Sequence, residues 1–345
     1  MMPFTRRQWL EAALAAPLAV TRPAPAQPPL RLLLNSGYSS VNSWFTLADD
    51  RGYFRDAGVQ LDYTVGRGAY TAAGRMADEG FDVGYGDINA LVELVATTPE
   101  RAPVAVYVLF NRSPSVIAVA ATSSIREPRD LTGRHVRGHA TDVALQTFPA
   151  LASAAGIEVS AVRISTSEAG MRDLVEAMLA GESDGVFGYD STITAALVGA
   201  GVPLDRVRFL PYRTLVPDLY GSALMVSKRL ARDQSAVVAA LVRAVNRGVA
   251  AVIADGDAAV AAARRRDPSL VAAAEQARLA RTLAGEMGHA EGVRLGLGGV
   301  DRQRFAAGVR LLCTAKGLRV PAVHEVLSDA FPVPAAERVT TLGPA

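Results

Sequence analysis

Residues 35–65 constrain the fold of this chain most strongly, because their hydrophobic period changes twice. A polar run rich in Ser and Asn follows the apolar residues 30–34, and apolar side chains then recur at helical spacing. After Gly58, which stands where a helix would end, apolar and polar residues alternate as they do in a strand. This order predicts strand 30–34, helix 43–56 and strand 59–65, which together form one βαβ unit with parallel strands.

The same alternation of strands and helices continues to about residue 210 and is interrupted near residues 112–115. A second irregular stretch at 212–221 precedes a return strand at 222–227. The pattern therefore predicts an α/β fold with two lobes. In such sheets, ligands bind outside the carboxyl ends of the strands, so the polar loops of both lobes should face one cleft. We expect the cleft to close around its ligand by hinge bending.

The expected domain organisation follows from these interruptions. Lobe I comprises residues 27–112 together with 222–333, and lobe II comprises 113–221 with the hinge crossings. Ala-rich helices dominate the chain after the return strand, and we expect Ser269 to cap a helix over 270–287. Residues 334–345 are predicted to form a loose tail.

Residues 1–26 have the order of an export signal. Paired arginines, Arg6 and Arg7, precede a short apolar run at 12–20, and the A-x-A sequence of residues 24–26 provides a cleavage site. The segment resembles a twin-arginine signal, and the general secretion route stays open as the alternative. Either route predicts a periplasmic protein.

The composition and the reactive residues argue against several other classes of protein. The net charge is +2 and no basic stripe interleaves with aromatic residues, so nucleic acid is not expected as a partner. The single cysteine, Cys313, lies in an apolar helical pattern, which favours a buried, inert thiol. The four histidines lack the spacing of metal ligands, and no G-x-S-x-G motif occurs. We expect no metal, no cofactor, no catalysis and a monomeric chain.

The candidate ligand-binding residues follow the predicted strand ends or flank the crossings between lobes. Aromatic side chains could supply flat walls with polar edges; they are Tyr38, Trp44, Tyr70, Tyr189 and Tyr220. Neutral and imidazole groups could supply hydrogen bonds; they are Ser36, Asn42, Asn89, Asn111, His139, Thr141 and Thr192. Asp87, Arg112 and Asp190 could supply charge. The helix starts near residues 43 and 142 offer N–H groups that suit an anion.

Structural roles compete with these assignments. Trp44 could anchor its helix to the sheet, Asp190 could cap a helix, Arg112 could pair with a surface carboxylate and Tyr220 could pack at the hinge. The sequence alone does not decide between the structural and the ligand-binding roles.

Several segments together resemble a known family. They are residues 44–58, 82–84, 130–134, 188–190 and 218–221. In order and spacing they are similar to the nitrate/sulfonate/taurine and pyrimidine-precursor binding family, the solute-binding subunits of ABC importers. The resemblance covers about residues 30–325. It implies a type II periplasmic-binding-protein fold, a small-molecule ligand and a permease partner in the inner membrane.

The resemblance leaves the ligand open among sulfonates, carboxylates and aromatic or heterocyclic precursors. Pyrimidine-precursor carriers have a Tyr-Tyr-x-Trp-Glu-like stretch, whereas residues 188–192 here supply Tyr189 and Asp190 but no Trp. The fungal pyrimidine-precursor synthases of this family use a Cys-rich iron motif, which a chain with one cysteine lacks. The alternatives are an enzyme of that synthase type and a periplasmic sensor module on the same fold.

Overall fold

The computed structural model describes residues 28–342 and contains two five-stranded mixed sheets. The strands in chain order are β1 Leu30–Leu33, β2 Leu61–Thr64, β3 Val83–Asp87, β4 Val104–Val108, β5 Ser115–Ala120, β6 His135–Gly138, β7 Arg163–Thr166, β8 Gly185–Tyr189, β9 Val207–Pro211 and β10 Ser222–Val226. The first sheet has the order β2-β1-β3-β10-β4 and the second has the order β7-β6-β8-β5-β9. The predicted α/β fold with two lobes is confirmed.

Fourteen α-helices lie within the described part of the chain. They are α1 Ser43–Asp50, α2 Tyr53–Asp56, α3 Ala72–Glu79, α4 Ile88–Thr97, α5 Val143–Ala155, α6 Met171–Leu179, α7 Asp190–Gly199, α8 Lys228–Asp233, α9 Ser235–Ala254, α10 Gly256–Arg266, α11 Ala272–Arg281, α12 Ala290–Leu295, α13 Arg302–Ala315 and α14 Val323–Val326. Short 3₁₀ turns precede α1 (Ser40–Asn42) and α3 (Ala69–Thr71), and a π-helical segment, Thr282–Glu286, extends α11.

The first βαβ unit has the predicted topology, with β1 parallel to β2. The helix predicted over 43–56 is two helices, because Gly52 adopts a left-handed conformation with φ of 73° between α1 and α2. A residue with a β-carbon would be strained at this φ, which explains why the break falls at a glycine. After α2 the chain turns again at Gly58, which has a φ of 70°, and enters β2.

The chain enters the second sheet once and then returns to the first. The second sheet takes all its strands from residues 115–211, and β10 then inserts between β3 and β4, antiparallel to both. Helix α11 nevertheless packs on α7, which follows a strand of the second sheet: Arg278 donates from Nη1 to Oγ1 of Thr192 at 3.1 Å. The C-terminal helical region thus contacts both lobes.

The lobes share one apolar core on the side of α13. Buried residues of α4, α5 and α13 belong to a single cluster that includes Leu91, Phe148 and Leu312. Lys316, just after α13, donates to Glu93 of α4 at 2.6 Å and to the carbonyl oxygen of Gln146 in α5 at 3.2 Å. This side therefore ties the two lobes together.

Helix α9 is long and apolar enough to cross a membrane by length and composition, but more than half of its apolar window is buried and it packs against α1. We interpret it as a core helix of lobe I.

Two local predictions differ from the structure. Ser269 does not cap a helix; its backbone N–H and hydroxyl donate to Asp267, and α11 begins later, at Ala272. Residues 334–342, expected to be loose, are held in place, since Val339 accepts from the N–H of Leu297 at 2.8 Å and Glu337 accepts from Asn246 at 2.7 Å. The predicted export signal, residues 1–26, lies outside the described residues.

Candidate functional site

A cavity of about 570 Å³ opens between the two sheets, at the ends of their strands. Both lobes contribute to it, and the part of lobe I that follows β10 contributes Arg278 and Glu286. Its lining comprises Asn35, Ser36, Val41, Arg67, Gly68, Ala69, Thr71, Phe110, His139, Ala140, Thr141, Asp142, Val143, Glu168, Met171, Tyr189, Ser191, Thr192, Arg278 and Glu286. The position agrees with the rule that α/β sheets bind ligands outside the carboxyl ends of their strands.

Protein carboxylates already occupy the two helix starts that the sequence suggested for an anion. Glu275, from α11, accepts from the backbone N–H of Ser40 at 2.7 Å and from its hydroxyl at 2.9 Å, just before α1. Asp142 caps α5 and accepts from the N–H of Ala144 at 2.7 Å. The expectation that these two starts would be free for a ligand is wrong, because the chain supplies its own anions there.

Two other helix starts border the cavity without a side-chain cap. Gly68 precedes the turn that leads into α3, and Tyr189 precedes α7. At neither position does a side chain accept a capping hydrogen bond from the backbone N–H groups of the helix start. The first comes from lobe I and the second from lobe II, and both border the cavity. The first N–H of α7, that of Asp190, donates to the carbonyl oxygen of Pro114 at 3.2 Å. The other N–H groups at these two starts are the candidates for contact with an anion, since helix starts attract negative charge.

A buried carboxylate, Asp87, lies behind the cavity wall and is hydrogen-bonded to Tyr189, which lines the cavity. Its Oδ2 accepts from the hydroxyl of Tyr189 at 3.3 Å, and its Oδ1 accepts from the backbone and side chain of Asn89 at 2.9 and 3.0 Å. Burial raises the pKa of Asp87 to about 6, although these hydrogen bonds favour the charged form. The Tyr189–Asp87 bond joins the end of β8 in one sheet to the end of β3 in the other.

Glu286 ends the π-helical segment and is a fully buried part of the cavity lining. The hydroxyl groups of Ser191 and Thr282 lie near its carboxylate and favour the charged form, but neither carboxyl oxygen meets the full geometry of a hydrogen bond. Burial, together with the nearby carboxylate of Asp190, raises the pKa of Glu286 to about 8. Single π-helical turns are frequent at functional sites, and this one turns an acidic side chain into the cavity.

This titration predicts a stability that depends on pH. Glu286 is ionised in the unfolded chain above about pH 4.5 but keeps its proton in the folded chain up to about pH 8. The stabilisation that the folded chain gains by holding this proton is therefore complete below the pKa of Glu286 in the unfolded chain, and it is lost as the pH rises towards 8. The free energy of unfolding should fall between pH 6 and 8, by up to about 1.4 kcal/mol per pH unit for one retained proton.

Urea unfolding at pH 6, 7 and 8 measures this slope in the wild type and in Glu286→Gln, which cannot titrate at this position. The variant should lose less stability over the range. Equal slopes in the two proteins would contradict the assigned protonation of Glu286.

A second buried cluster fixes the hinge side of the site. Glu291 accepts from the hydroxyl of Tyr220 at 2.7 Å, from Nη1 of Arg304 at 2.6 Å and from the N–H of Asp301 at 2.7 Å. The Arg304 guanidinium also lies 3.9 Å from the centre of the Tyr220 ring. The cluster links the second crossing between lobes to α12 and α13.

Five of the fifteen residues predicted from the sequence border the cavity: Ser36, His139, Thr141, Tyr189 and Thr192. The other ten lie outside its lining: Tyr38, Asn42, Trp44, Tyr70, Asp87, Asn89, Asn111, Arg112, Asp190 and Tyr220. Whether any of the fifteen contacts a ligand stays a prediction.

Trp44 and Tyr70 lie outside the lining for clear physical reasons. Trp44 is fully buried and packs edge-on against Tyr85 and Phe110, with ring centres 5.8 and 6.0 Å away, so it anchors α1 to the sheet. The Tyr70 hydroxyl donates to Glu93 at 2.6 Å.

The polar residues outside the lining bond to the protein itself. Asp190 is buried, with Oδ2 lying 3.3 Å from both Arg213 and Arg281. Asn42 bonds the backbone of Gly37 at 3.0 Å, and Tyr220 belongs to the hinge cluster.

The sequence missed several charged residues of the lining. Arg67, Arg278 and Glu286 were not predicted, and neither were Asp142 and Glu168. Arg67 had a local signal, since it stands between two glycines directly after a strand. Arg278 and Glu286 had none, because they belong to a helical region far along the chain that only the folded structure brings to the cleft. Within residues 28–342 no three His, Cys, Asp or Glu side chains are grouped as metal ligands would be.

Comparisons with solved structures identify the fold. The alkanesulfonate-binding protein SsuA of Xanthomonas axonopodis pv. citri, bound to MOPS, is 17% identical with a TM-score of 0.64, covering 89% of this chain and 97% of that one. The periplasmic aliphatic sulphonate binding protein SsuA of Escherichia coli is 16% identical with a TM-score of 0.65, covering 90% and 94%. A Candida albicans protein with the generic periplasmic binding protein fold is 14% identical, with a TM-score of 0.60, covering 89% and 98%.

The two sheets, the cleft between them and these likenesses define a two-lobed protein of the periplasmic-binding-protein fold. No curated protein matches the chain. The family model described as NMT1/THI5 like matches residues 42–259, which is more than half of the sequence. The chain therefore belongs to the NMT1/THI5-like family, and the resemblance noted from the sequence is confirmed.

Proposed function

We propose that this protein is the solute-binding subunit of an ABC importer, which captures a small organic ligand with an anionic group in the cleft between its lobes. One observation carries the proposal: two uncapped helix starts, one from each lobe, border the same cavity. An anion between them would contact both lobes at once, so its binding would favour the closed arrangement.

The rest of the cavity suits an organic rather than an inorganic anion. Phe110, Met171 and Val143 supply apolar surface, while Ser191 and Thr192 supply hydroxyl groups beside the start of α7. A volume of about 570 Å³ lies within the range of small-molecule pockets. The named ligands of the SsuA structures, alkanesulfonates and MOPS, are organic anions of this size class, and they motivate the choice of sulfonates as first probes.

Delivery requires that the ligand shift the balance between open and closed arrangements. A change from 1:99 to 99:1 needs about 5.5 kcal/mol of preference for the closed form. Charge-assisted hydrogen bonds contribute about 1.5–3 kcal/mol each, so two or three of them across the cleft would suffice. The proposal includes a periplasmic location, a monomeric chain and a permease partner in the inner membrane.

Arg67 provides a direct test of anion binding. It is exposed at the cavity, and no carboxylate of the described residues lies within ion-pair distance of it. Arg67→Ala should therefore weaken the binding of organic sulfonates and carboxylates by about 10-fold to 100-fold, which corresponds to one charge-assisted hydrogen bond. Isothermal titration calorimetry on ligands selected from a thermal-shift panel measures the effect.

Arg310→Ala is the matched control, because Arg310 is an exposed arginine of α13 outside the cavity. It should leave the dissociation constants unchanged within about 2-fold. If no organic anion binds the wild type, or if Arg67→Ala binds as the wild type does, the proposed anion site is wrong.

Two alternatives are open to experiment. An enzyme would turn over a ligand that binds, which mass spectrometry of the incubated ligand detects. A sensor module would bind the same ligand but would not stimulate a permease in reconstituted transport. Native mass spectrometry of protein purified from its own periplasm, followed by the thermal-shift panel, identifies the ligand.

A further inference from the structure

A second cavity lies within lobe I, outside the cleft. Its volume is about 230 Å³, and it shares no lining residue with the cavity between the lobes. Strand β4 forms one wall, residues 295–302 form another, and residues 327–333 together with Arg338 form the rest. A small molecule in this cavity would therefore occupy a site separate from the one that captures the solute.

The cavity borders the outer edge of β4, which two different segments cover. β4 is the last strand of the first sheet, and Val108 exchanges two backbone hydrogen bonds with Gly298, at 3.1 and 3.3 Å. Further along the same strand, the N–H of Ser328 donates to the carbonyl oxygen of Ala105 at 2.9 Å. Each segment forms only an isolated bridge, so neither continues the sheet, and Val106 between the two bridges lines the cavity.

The walls of this cavity are apolar. Val106, Leu297, Phe331 and Val333 contribute buried side chains to it. No buried side-chain nitrogen or oxygen of its lining lacks a hydrogen-bond partner in the described part of the chain. The body of a ligand would therefore need no hydrogen-bonding groups here, and an apolar body would gain most from burial.

One charge at the cavity is not balanced by the protein. Arg302 and Asp329 form an ion pair with each other, whereas Arg338 has no carboxylate within ion-pair distance in residues 28–342. The Nε of Arg338 donates to the carbonyl oxygen of Val333 at 3.2 Å, and its two terminal nitrogens stay free to donate to a ligand. The planar fork of a guanidinium group matches a carboxylate, which it can bind through two parallel hydrogen bonds.

The C-terminal segment holds Arg338 in position at the cavity. On either side of it, the carbonyl oxygens of Glu337 and Val339 accept hydrogen bonds from α9 and from Leu297, at 2.7 and 2.8 Å. The stem of Arg338 lies against Gly296, where an added β-carbon would be 2.8 Å from its own β-carbon. An arginine that the fold already positions loses less conformational freedom when it binds an anion.

We propose that this cavity binds a small organic monocarboxylate with an apolar body the size of one aromatic ring, whose carboxylate pairs with Arg338. An apolar cavity of about 150 Å³ accommodates benzene, so one of about 230 Å³ has room for a ring and a short side arm. A second anionic group would approach Asp329 and be repelled. Because every lining residue belongs to lobe I, binding here should not depend on closure of the cleft.

Phenylacetate and its uncharged analogue phenylacetamide are matched probes for this site. In NMR titrations of the full chain at neutral pH, the wild type should bind phenylacetate about 10-fold or more tightly than phenylacetamide. Arg338→Ala removes an exposed side chain and should keep the fold. It should weaken phenylacetate binding by about 10-fold or more and leave the affinity for phenylacetamide within about 2-fold of the wild type.

Two further variants locate the probe. Val333→Phe places a ring in the cavity and should weaken both probes, while circular dichroism checks that the variant is folded. Arg310→Ala, an exposed arginine outside both cavities, should change neither affinity.

The inference is overturned if neither probe binds the wild type at millimolar concentration, or if phenylacetamide binds as tightly as phenylacetate. It is also overturned if the Arg338→Ala variant, or a folded Val333→Phe variant, binds phenylacetate as the wild type does. If Arg67→Ala weakens phenylacetate binding and Arg338→Ala does not, the probe occupies the cleft; the second site is then wrong while the proposed function is supported.

Discussion

Replacing Glu291 with glutamine should lower the free energy of unfolding by about 3–5 kcal/mol, the cost of removing one partner from a buried ion pair. The carboxylate accepts hydrogen bonds from Tyr220, Arg304 and the backbone of Asp301, at 2.6–2.7 Å. A glutamine can accept with one oxygen only, and its NH₂ group would face another donor. The Arg304 guanidinium, whose side chain is only 12% exposed, would lose its carboxylate partner. Urea unfolding followed by circular dichroism measures the loss.

Glu325→Gln is the matched control for this prediction. Glu325 also pairs with an arginine, since Nη1 of Arg319 lies 2.9 Å away, but that pair is exposed to solvent. Exposed pairs contribute about 0–1 kcal/mol, so the control should change the stability little. Similar losses in the two variants would mean that burial does not distinguish the two pairs. The hinge cluster would then contribute no more to the free energy of unfolding than an exposed pair does.

The hinge cluster also explains why Tyr220 was ambiguous in the sequence. An aromatic residue with a hydroxyl at a crossing between lobes fits a ligand wall and a structural anchor equally well. Its partners, Glu291 and Arg304, lie 71 and 84 positions further along the chain. No local pattern connects them, and only the packing of α12 and α13 against the crossing decides the role.

The fold was more accessible to sequence analysis than the site was. The alternation of apolar and polar residues located the strands of both sheets, and the return strand at 222–227 agrees with β10. Strand periodicity is local, because successive side chains point to opposite faces of the sheet whatever the rest of the chain does. The prediction of a cleft at the strand ends needed only this order of elements.

The chemistry of the cleft depended on distant contacts. The helix start before α1 looked available to an anion, yet Glu275 occupies it from 235 positions away. Glu286 reaches the cavity because a π-helical segment extends α11. Neither contact leaves a periodic signal, so the sequence predicted a cleft at the strand ends, while the structure was needed to identify the charged residues that line it.

Gly248→Ala should destabilise the protein by about 1–3 kcal/mol or more, because a single methyl group would overpack a helix contact. Gly248 lies in α9, where its backbone approaches α1 so closely that a β-carbon would lie 2.1 Å from the carbonyl oxygen of Trp44 and 3.0 Å from the β-carbon of Ala48. The obstacle is backbone rather than a flexible side chain, so α9 and α1 would have to move apart. That movement would loosen the helix that Trp44 anchors to the first sheet.

Gly74→Ala makes the same chemical change in α3 and should have the opposite sign. Apart from the adjacent residues and the backbone of its own helix, no atom lies within 4 Å of the position that its β-carbon would take. Alanine is favoured over glycine in a helix interior by about 0.5–1 kcal/mol, so this variant should be stabilised. Urea midpoints of the two variants, measured together, separate helix propensity from steric conflict. If Gly248→Ala were as stable as Gly74→Ala, α9 could not approach α1 as closely as the structure shows. The role of this contact in holding the first lobe's edge of the cleft would then also be wrong.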